Sequence, residues 1–301
     1  MRAAVWLSIL GLLATGLAVL AVSSSTASAT THPAAHAVEP SLFAYDRSAP
    51  LDAVFGGTAA WPAWGGDVVR QDVSYRATES LRLKAFFMHP KEGGPWPLVI
   101  WSPGAGGDRR QQLPEAVTLA HAGVASLLID APPLYPGCRG DNLKLYVDYV
   151  VSRRRAVDLA QTLPNVDATQ LAAAGFSFGS EITATLSGVD HRFVAFSLKS
   201  GRGHHTGFVR LVCTSLGKAA LDAEIARLAV VEPVLWIGRS VHAATLVQNG
   251  RSDGLTPRAD VLALYAAARK PKELRWYPAG HDLNAAATAY RDQWLVRHLR
   301  P

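Results

Sequence analysis

The rhythm of apolar and polar positions changes several times along the chain, and each change marks an element. Residues 97–101, Pro-Leu-Val-Ile-Trp, are apolar without a break, which is the pattern of a strand buried on both faces. Just upstream, residues 69–76 and 81–88 predict two antiparallel strands joined by a turn at Thr78-Glu79-Ser80. Downstream, helices are predicted over 111–122, 143–162, 178–187, 218–229, 257–269 and 283–299. They alternate with short apolar runs over 125–130, 171–176, 193–198, 244–248 and 273–277, read as strands. Strand alternating with helix predicts an α/β fold: a mostly parallel central sheet with antiparallel first strands and helices on both faces. Residues 201–240 are the least regular stretch and predict a short cap region.

The first part of the chain reads differently. Arg2, an uncharged run over 3–22 and Ala27-Ser28-Ala29 predict a signal peptide over 1–29. The apolar run of about 20 residues could also span a bilayer, so an N-terminal membrane anchor is the alternative. On either reading the domain is exported, to a secreted or extracytoplasmic location. Residues 30–66, rich in Ala, Pro and Gly, read as an irregular leader, and 67–301 as one domain.

Composition adds little to this. The net charge of +6 is spread along the chain, and its one dense run, Arg153-Arg154-Arg155, is expected on a solvated helix face. No basic stripe with interleaved aromatics points to nucleic acid. A monomer is expected. Cys138 and Cys213 are the only cysteines, and in an exported chain both a disulfide and two separate thiols remain open.

The candidate chemistry lies in four loops that follow predicted strands, where α/β sheets carry their sites. Gly175-Phe176-Ser177-Phe178-Gly179 has the form G-x-S-x-G between a strand and a helix, the setting of a nucleophile elbow. Glycine is required on either side because a side chain there would collide with so tight a turn. Asn249-Gly250-Arg251-Ser252-Asp253 places a carboxylate after the strand over 244–248, and Gly280-His281-Asp282 an imidazole after the strand over 273–277. Ser177, Asp253 and His281 thus stand in the chain order of a Ser-Asp-His triad, with Asp253 orienting His281 and His281 taking the serine proton. Ser102-Pro103-Gly104-Ala105-Gly106-Gly107 follows the strand over 97–101 and can supply a backbone N–H at Ala105 to pair with that of Phe178 as an oxyanion hole. Phe176 and Gly106 are candidate substrate contacts, as are His204 and His205 in the cap stretch. The loop after 193–198, Lys199-Ser200-Gly201-Arg202-Gly203, carries no carboxylate and so offers no alternative acid. Adjacent histidines lack the spacing of a helical zinc pair, and no metal is expected.

These motifs resemble the α/β-hydrolase superfamily, and more narrowly the dienelactone-hydrolase-like and platelet-activating-factor-acetylhydrolase-like esterases. The resemblance runs over about 68–299. It implies an α/β-hydrolase fold, a Ser177-Asp253-His281 triad, an oxyanion site at Ala105 and Phe178, and ester hydrolysis without a cofactor. The chain departs from the pattern in three ways: Ser102-Pro103 stands where many relatives have His-Gly, serine replaces the cysteine of strict dienelactone hydrolases, and Ser180 stands where a third glycine is frequent. The implied partner is a small-molecule or polymer-derived ester. A peptidase or amidase of the same fold and a non-catalytic envelope binding protein are the alternatives.

Overall fold

The computed structural model describes residues 39–60, 66–133 and 140–299. The expected export segment and Cys138 lie outside them. In chain order the strands are β1 (Val54–Ala60), β2 (Val68–Thr78), β3 (Leu81–Pro90), β4 (Trp96–Ser102), β5 (Ala125–Ile129), β6 (Val166–Phe176), β7 (Ala195–Lys199), β8 (Ala244–Gly250) and β9 (Lys272–Tyr277). The helices are α1 (Leu113–His121), α2 (Asn142–Ala160), α3 (Phe178–Ser187), α4 (Thr206–Val212), α5 (Lys218–Leu228), α6 (Pro233–Ile237), α7 (Arg258–Ala267) and α8 (Ala285–Leu299).

Among the described residues the strands form one sheet in the order β1-β2-β3-β5-β4-β6-β7-β8-β9. β1 and β3 run against the rest. From β4 the chain crosses through α1 to β5 on one side, and then returns to place β6 on the other side of β4. The crevice outside the carboxyl ends of β4 and β6 is therefore the switch point at which such sheets bind ligands.

The uninterrupted apolar runs divide between two cores by their alternation. Leu98 and Ile100 of β4 join Leu127, Ile129, Leu171 and Ala173 beneath α2 and α3. Val99 and Trp101 join Leu128, Ala172 and Ala174 beneath α1 and α8. A strand buried on both faces needs apolar residues at every position, which is why no polar alternation was visible in it. Local signals fix the helix ends. The side chain of Asp141 caps α2 by accepting from Lys144 N at 3.0 Å. Gly123, at φ +78°, ends α1 in a conformation that glycine adopts without a steric cost.

Two expectations are corrected. The irregular leader contains a strand, β1, that pairs with β2 from Val54 opposite Ser74 to Ala60 opposite Val69. This edge strand is exposed along nearly its whole length, so no hydrophobic alternation announces it; backbone pairing alone makes it a strand. Upstream of it, a 3-10 turn at Pro40–Phe43 buries Phe43 edge-on against Trp236. The arginine run is also not a solvated face. Arg153 and Arg155 are buried, and Arg154 and Arg155 donate to the carbonyls of Phe43 and Ala49, each at 2.7 Å. The leader lies across this part of α2, and its unpaired carbonyls need the guanidinium donors. No helix among the described residues is long and apolar enough to cross a membrane.

Candidate active site

β6 approaches the site with Ala172-Ala173-Ala174-Gly175, and on the face toward α3 the small Ala173 and Gly175 let the helix pack closely against it. Ser177 follows at φ +54°, ψ −123°, an uncommon conformation for a residue with a Cβ. Its N–H donates to Lys199 O on β7 at 2.8 Å, and its carbonyl accepts from Ser180 N at 2.9 Å as α3 begins. The strain is held from both ends. A Cβ on Gly175 would overlap Gly179 O and Thr183 Oγ1, and one on Gly179 would overlap the carbonyls of Ser102 and Pro103. Both elbow glycines are therefore needed for close approach of backbone to backbone.

The two partners expected from later loops meet the serine. His281 Nε2 lies 2.8 Å from Ser177 Oγ, and His281 Nδ1 lies 3.1 and 3.0 Å from the two oxygens of Asp253. The Asp253 side chain is fully buried. It accepts from Leu255 N at 2.9 Å, Thr256 N at 3.1 Å and Asn249 Nδ2 at 3.2 Å, so the carboxylate has donors on both oxygens before the imidazole is counted. With Nδ1–H donating to Asp253, Nε2 is left as the acceptor for the serine hydroxyl. Asp282 does not share this role: it lies beside His281 and lines a neighbouring recess.

The loop after β4 passes the nucleophile at Gly104, whose Cβ position would lie 3.5 Å from Ser177 Cβ. Three side chains that the sequence did not single out pin it: Arg153 Nε donates to Ser102 Oγ at 3.0 Å, Tyr149 OH to Pro103 O at 2.8 Å, and Gly104 N to Gln111 Oε1 at 2.8 Å. Burial pushes the Tyr149 phenol up to about 12, which keeps it a donor. Beyond these anchors Ala105 and Gly106 are exposed, Gly106 at φ +70° in a turn closed by Gly107 N to Gly104 O. The Phe178 N–H belongs to the first residue of α3, which has no acceptor within the helix.

The aromatic residues divide between site and core. The Phe176 ring lies 5.3 Å from that of His281 and is covered by Lys199 Nζ at 4.9 Å. Beside it is a recess of about 160 Å³ lined by polar and charged groups that include Gln111, Glu115, Lys199, Asp282 and Arg291. Burial and the nearby Arg291 charge lower the Lys199 pKa. The Phe178 side chain is instead core, stacked on Phe208 at 5.1 Å, and Trp101 and Trp236 are core as well. Of the two histidines expected as substrate contacts, the expectation is corrected for His205. His205 is buried with Nδ1 2.7 Å from Glu181, and His204 pairs with Asp260 on α7. Both bind the stretch over 201–240 to the body of the fold. Cys213 is disulfide-bonded.

Sheet order and elbow together define an α/β-hydrolase fold. No family model matches the chain. Over 218 residues it is 28% identical to the uncharacterized protein Rv2307c of Mycobacterium tuberculosis, across 70% of this chain and 72% of that protein. Among solved structures it is similar to the acetyl xylan esterase from Paenibacillus sp. R4, with a TM-score of 0.71 and 20% identity over 83% of this chain and 89% of that one. Acetyl Xylan Esterase 1 from Thermoanaerobacterium sp. JW/SL YS485 gives 0.68 and 14% over 85% and 90%. Est1E from Butyrivibrio proteoclasticus gives 0.60 and 17% over 74% and 97%.

Proposed function

We propose that this protein is an exported serine hydrolase that cleaves carboxylic esters of small acyl groups through an acyl-enzyme. The observation that carries this reading is the unbroken relay from Ser177 Oγ through His281 to a buried, fully hydrogen-bonded Asp253. Ser177 Oγ attacks the ester carbonyl as His281 Nε2 takes its proton, and Asp253 stabilises the imidazolium that forms. The N–H groups of Phe178 and Ala105 hold the oxyanion. Collapse breaks the bond to the leaving alkoxide, which receives the proton from His281. Water, deprotonated by the same imidazole, then attacks the acyl carbonyl; the acid leaves and Ser177 regains its hydrogen.

The small-acyl assignment rests on the recess that Phe176 shares with Gln111, Glu115, Lys199, Asp282 and Arg291, one residue from the nucleophile along the chain. A polar recess of about 160 Å³ suits a short or polar group and not a long hydrocarbon chain. The acetyl xylan esterases among its structural neighbours point the same way. The test is hydrolysis of p-nitrophenyl acetate, butyrate and octanoate, with the matched acetanilide. The acetate is expected to turn over fastest and the anilide least, with Ser177→Ala removing all enzymatic turnover. Undiminished hydrolysis by Ser177→Ala would overturn the esterase reading, fastest turnover of octanoate would overturn the small-acyl reading, and equal anilide turnover would make the protein an amidase.

A further inference from the structure

The loop after β7 offered no acid to the triad, yet it touches both the loop that supplies the acid and the loop that supplies the histidine. Ser200, buried at φ +55°, donates its N–H to Gln248 O at 2.9 Å and its Oγ to His281 O at 2.6 Å, and its carbonyl accepts from Thr256 Oγ1 at 3.3 Å. Two residues on, Arg202 is buried against Phe208. Its Nε and Nη2 both donate to Leu255 O, at 3.0 and 2.8 Å, and its Nη1 reaches Glu181 Oε1 at 3.3 Å. A buried guanidinium needs a paired charge, and Glu181, fully buried on α3, supplies it.

What makes this contact more than packing is the peptide it grips. The carbonyl that Arg202 holds belongs to the Leu255–Thr256 peptide, and the N–H of that same peptide donates to Asp253 Oδ1 at 3.1 Å. A charged donor on the carbonyl draws electron density across the amide and makes its N–H a stronger donor, as chained hydrogen bonds do in a low dielectric. The two bonds from one planar guanidinium also fix the orientation of the peptide, which a single donor would not.

Resting on the triad reading above, we propose that Arg202, anchored by Glu181, is a positioning residue for the reaction: through the Leu255–Thr256 peptide it sets the alignment of Asp253 with His281. Ser200 fixes the histidine side of the same pair through the His281 carbonyl. One short loop thereby registers the acid loop after β8 against the histidine loop after β9, while Glu181 ties both to the helix that begins at the nucleophile. Arg202 touches neither substrate nor reacting atoms, so its loss should appear in the chemical step and not in substrate binding.

The test compares Arg202→Met and Arg202→Lys with the intact protein on p-nitrophenyl acetate. For Arg202→Met, kcat is expected to fall about 10- to 100-fold with KM within about twofold, the size of effect that small misplacement of a catalytic group produces. The downfield proton resonance of His281 Nδ1–H bonded to Asp253 should shift or broaden in the same variant. Arg202→Lys keeps a charged donor within reach of Leu255 O, and should recover part of kcat and return the resonance toward its original position. Should Arg202→Met fail to fold because Glu181 Oε1 loses its partner, the double variant Glu181→Gln/Arg202→Met removes the buried charge and carries the same expectation. A folded variant without the guanidinium that keeps kcat and the His281 resonance unchanged would overturn the proposal. If the intact protein itself hydrolyses no ester and shows no such resonance, the triad reading has failed instead.

Discussion

Two of the carboxylate–imidazole pairs among the described residues set a ring Nδ1 against a buried carboxylate. In one, His281 Nδ1 meets Asp253 at 3.0 Å; in the other, His205 Nδ1 meets Glu181 at 2.7 Å, and both carboxylates are fully buried. They differ at the second ring nitrogen. His281 Nε2 faces a hydroxyl, Ser177 Oγ at 2.8 Å, which can donate to it. His205 Nε2 faces the Val231 carbonyl at 3.2 Å, which can only accept. An imidazole between a carboxylate and a carbonyl must carry a proton on both nitrogens to satisfy both. Burial opposes that charge, but the hydrogen bond and charge of Glu181 outweigh it, and the His205 pKa is raised. The first imidazole can thus act as a base, whereas the second, bonded to acceptors on both sides, serves to hold the fold together. A histidine–carboxylate pair is therefore not itself a catalytic signature; the group on the far nitrogen decides.

The largest test of this contrast removes the hydroxyl. Ser177→Ala should lower kcat by on the order of 10⁶-fold while leaving the thermal unfolding midpoint nearly unchanged, read by ester turnover beside a melting curve. Next, Asp253→Asn should keep the histidine in place but favour the wrong tautomer, at a cost on the order of 10⁴-fold in kcat. A loss below tenfold would mean that Asp253 does not orient the ring. Gly179→Ala should destabilise the fold by about 3 kcal/mol, because the new methyl meets the Ser102 and Pro103 carbonyls and neither is a flexible side chain. Denaturant unfolding would measure it.

The smallest expected effect belongs to the second pair and is a pH dependence. The folded pKa of His205 lies above its unfolded value of about 6.5. Its contribution to stability is therefore complete below that value and is lost as pH rises through the folded one. His205→Gln should flatten this decline in a series of melting curves across neutral pH. A variant whose decline matched that of the intact protein would remove His205 as its source.

The pattern of what the sequence revealed follows from the range over which each interaction acts. Ser177, Asp253 and His281 were legible because each sits on a loop whose neighbours carry a local signature: a tight turn with glycines, a strand just before, and a helix soon after. Most of their supports were not. Arg153 reads as part of a basic run, and only the chain folded against α2 makes it a buried donor to Ser102. Arg202 sits in a loop whose only visible property was that it lacked a carboxylate, and its partners lie 21 and 53 residues away. β1 shows the same limit in the fold, since an exposed edge strand is specified by its partner and not by its own side chains.

The most direct measurement of the central claim is covalent labelling of the folded protein by a fluorophosphonate, with the modified residue located by mass spectrometry. The relay predicts a single label on Ser177 in the intact protein, near-complete loss of labelling in His281→Ala, and undiminished labelling in His205→Gln. A folded protein that takes no label, or a His281→Ala variant labelled as fast as the intact chain, would contradict it.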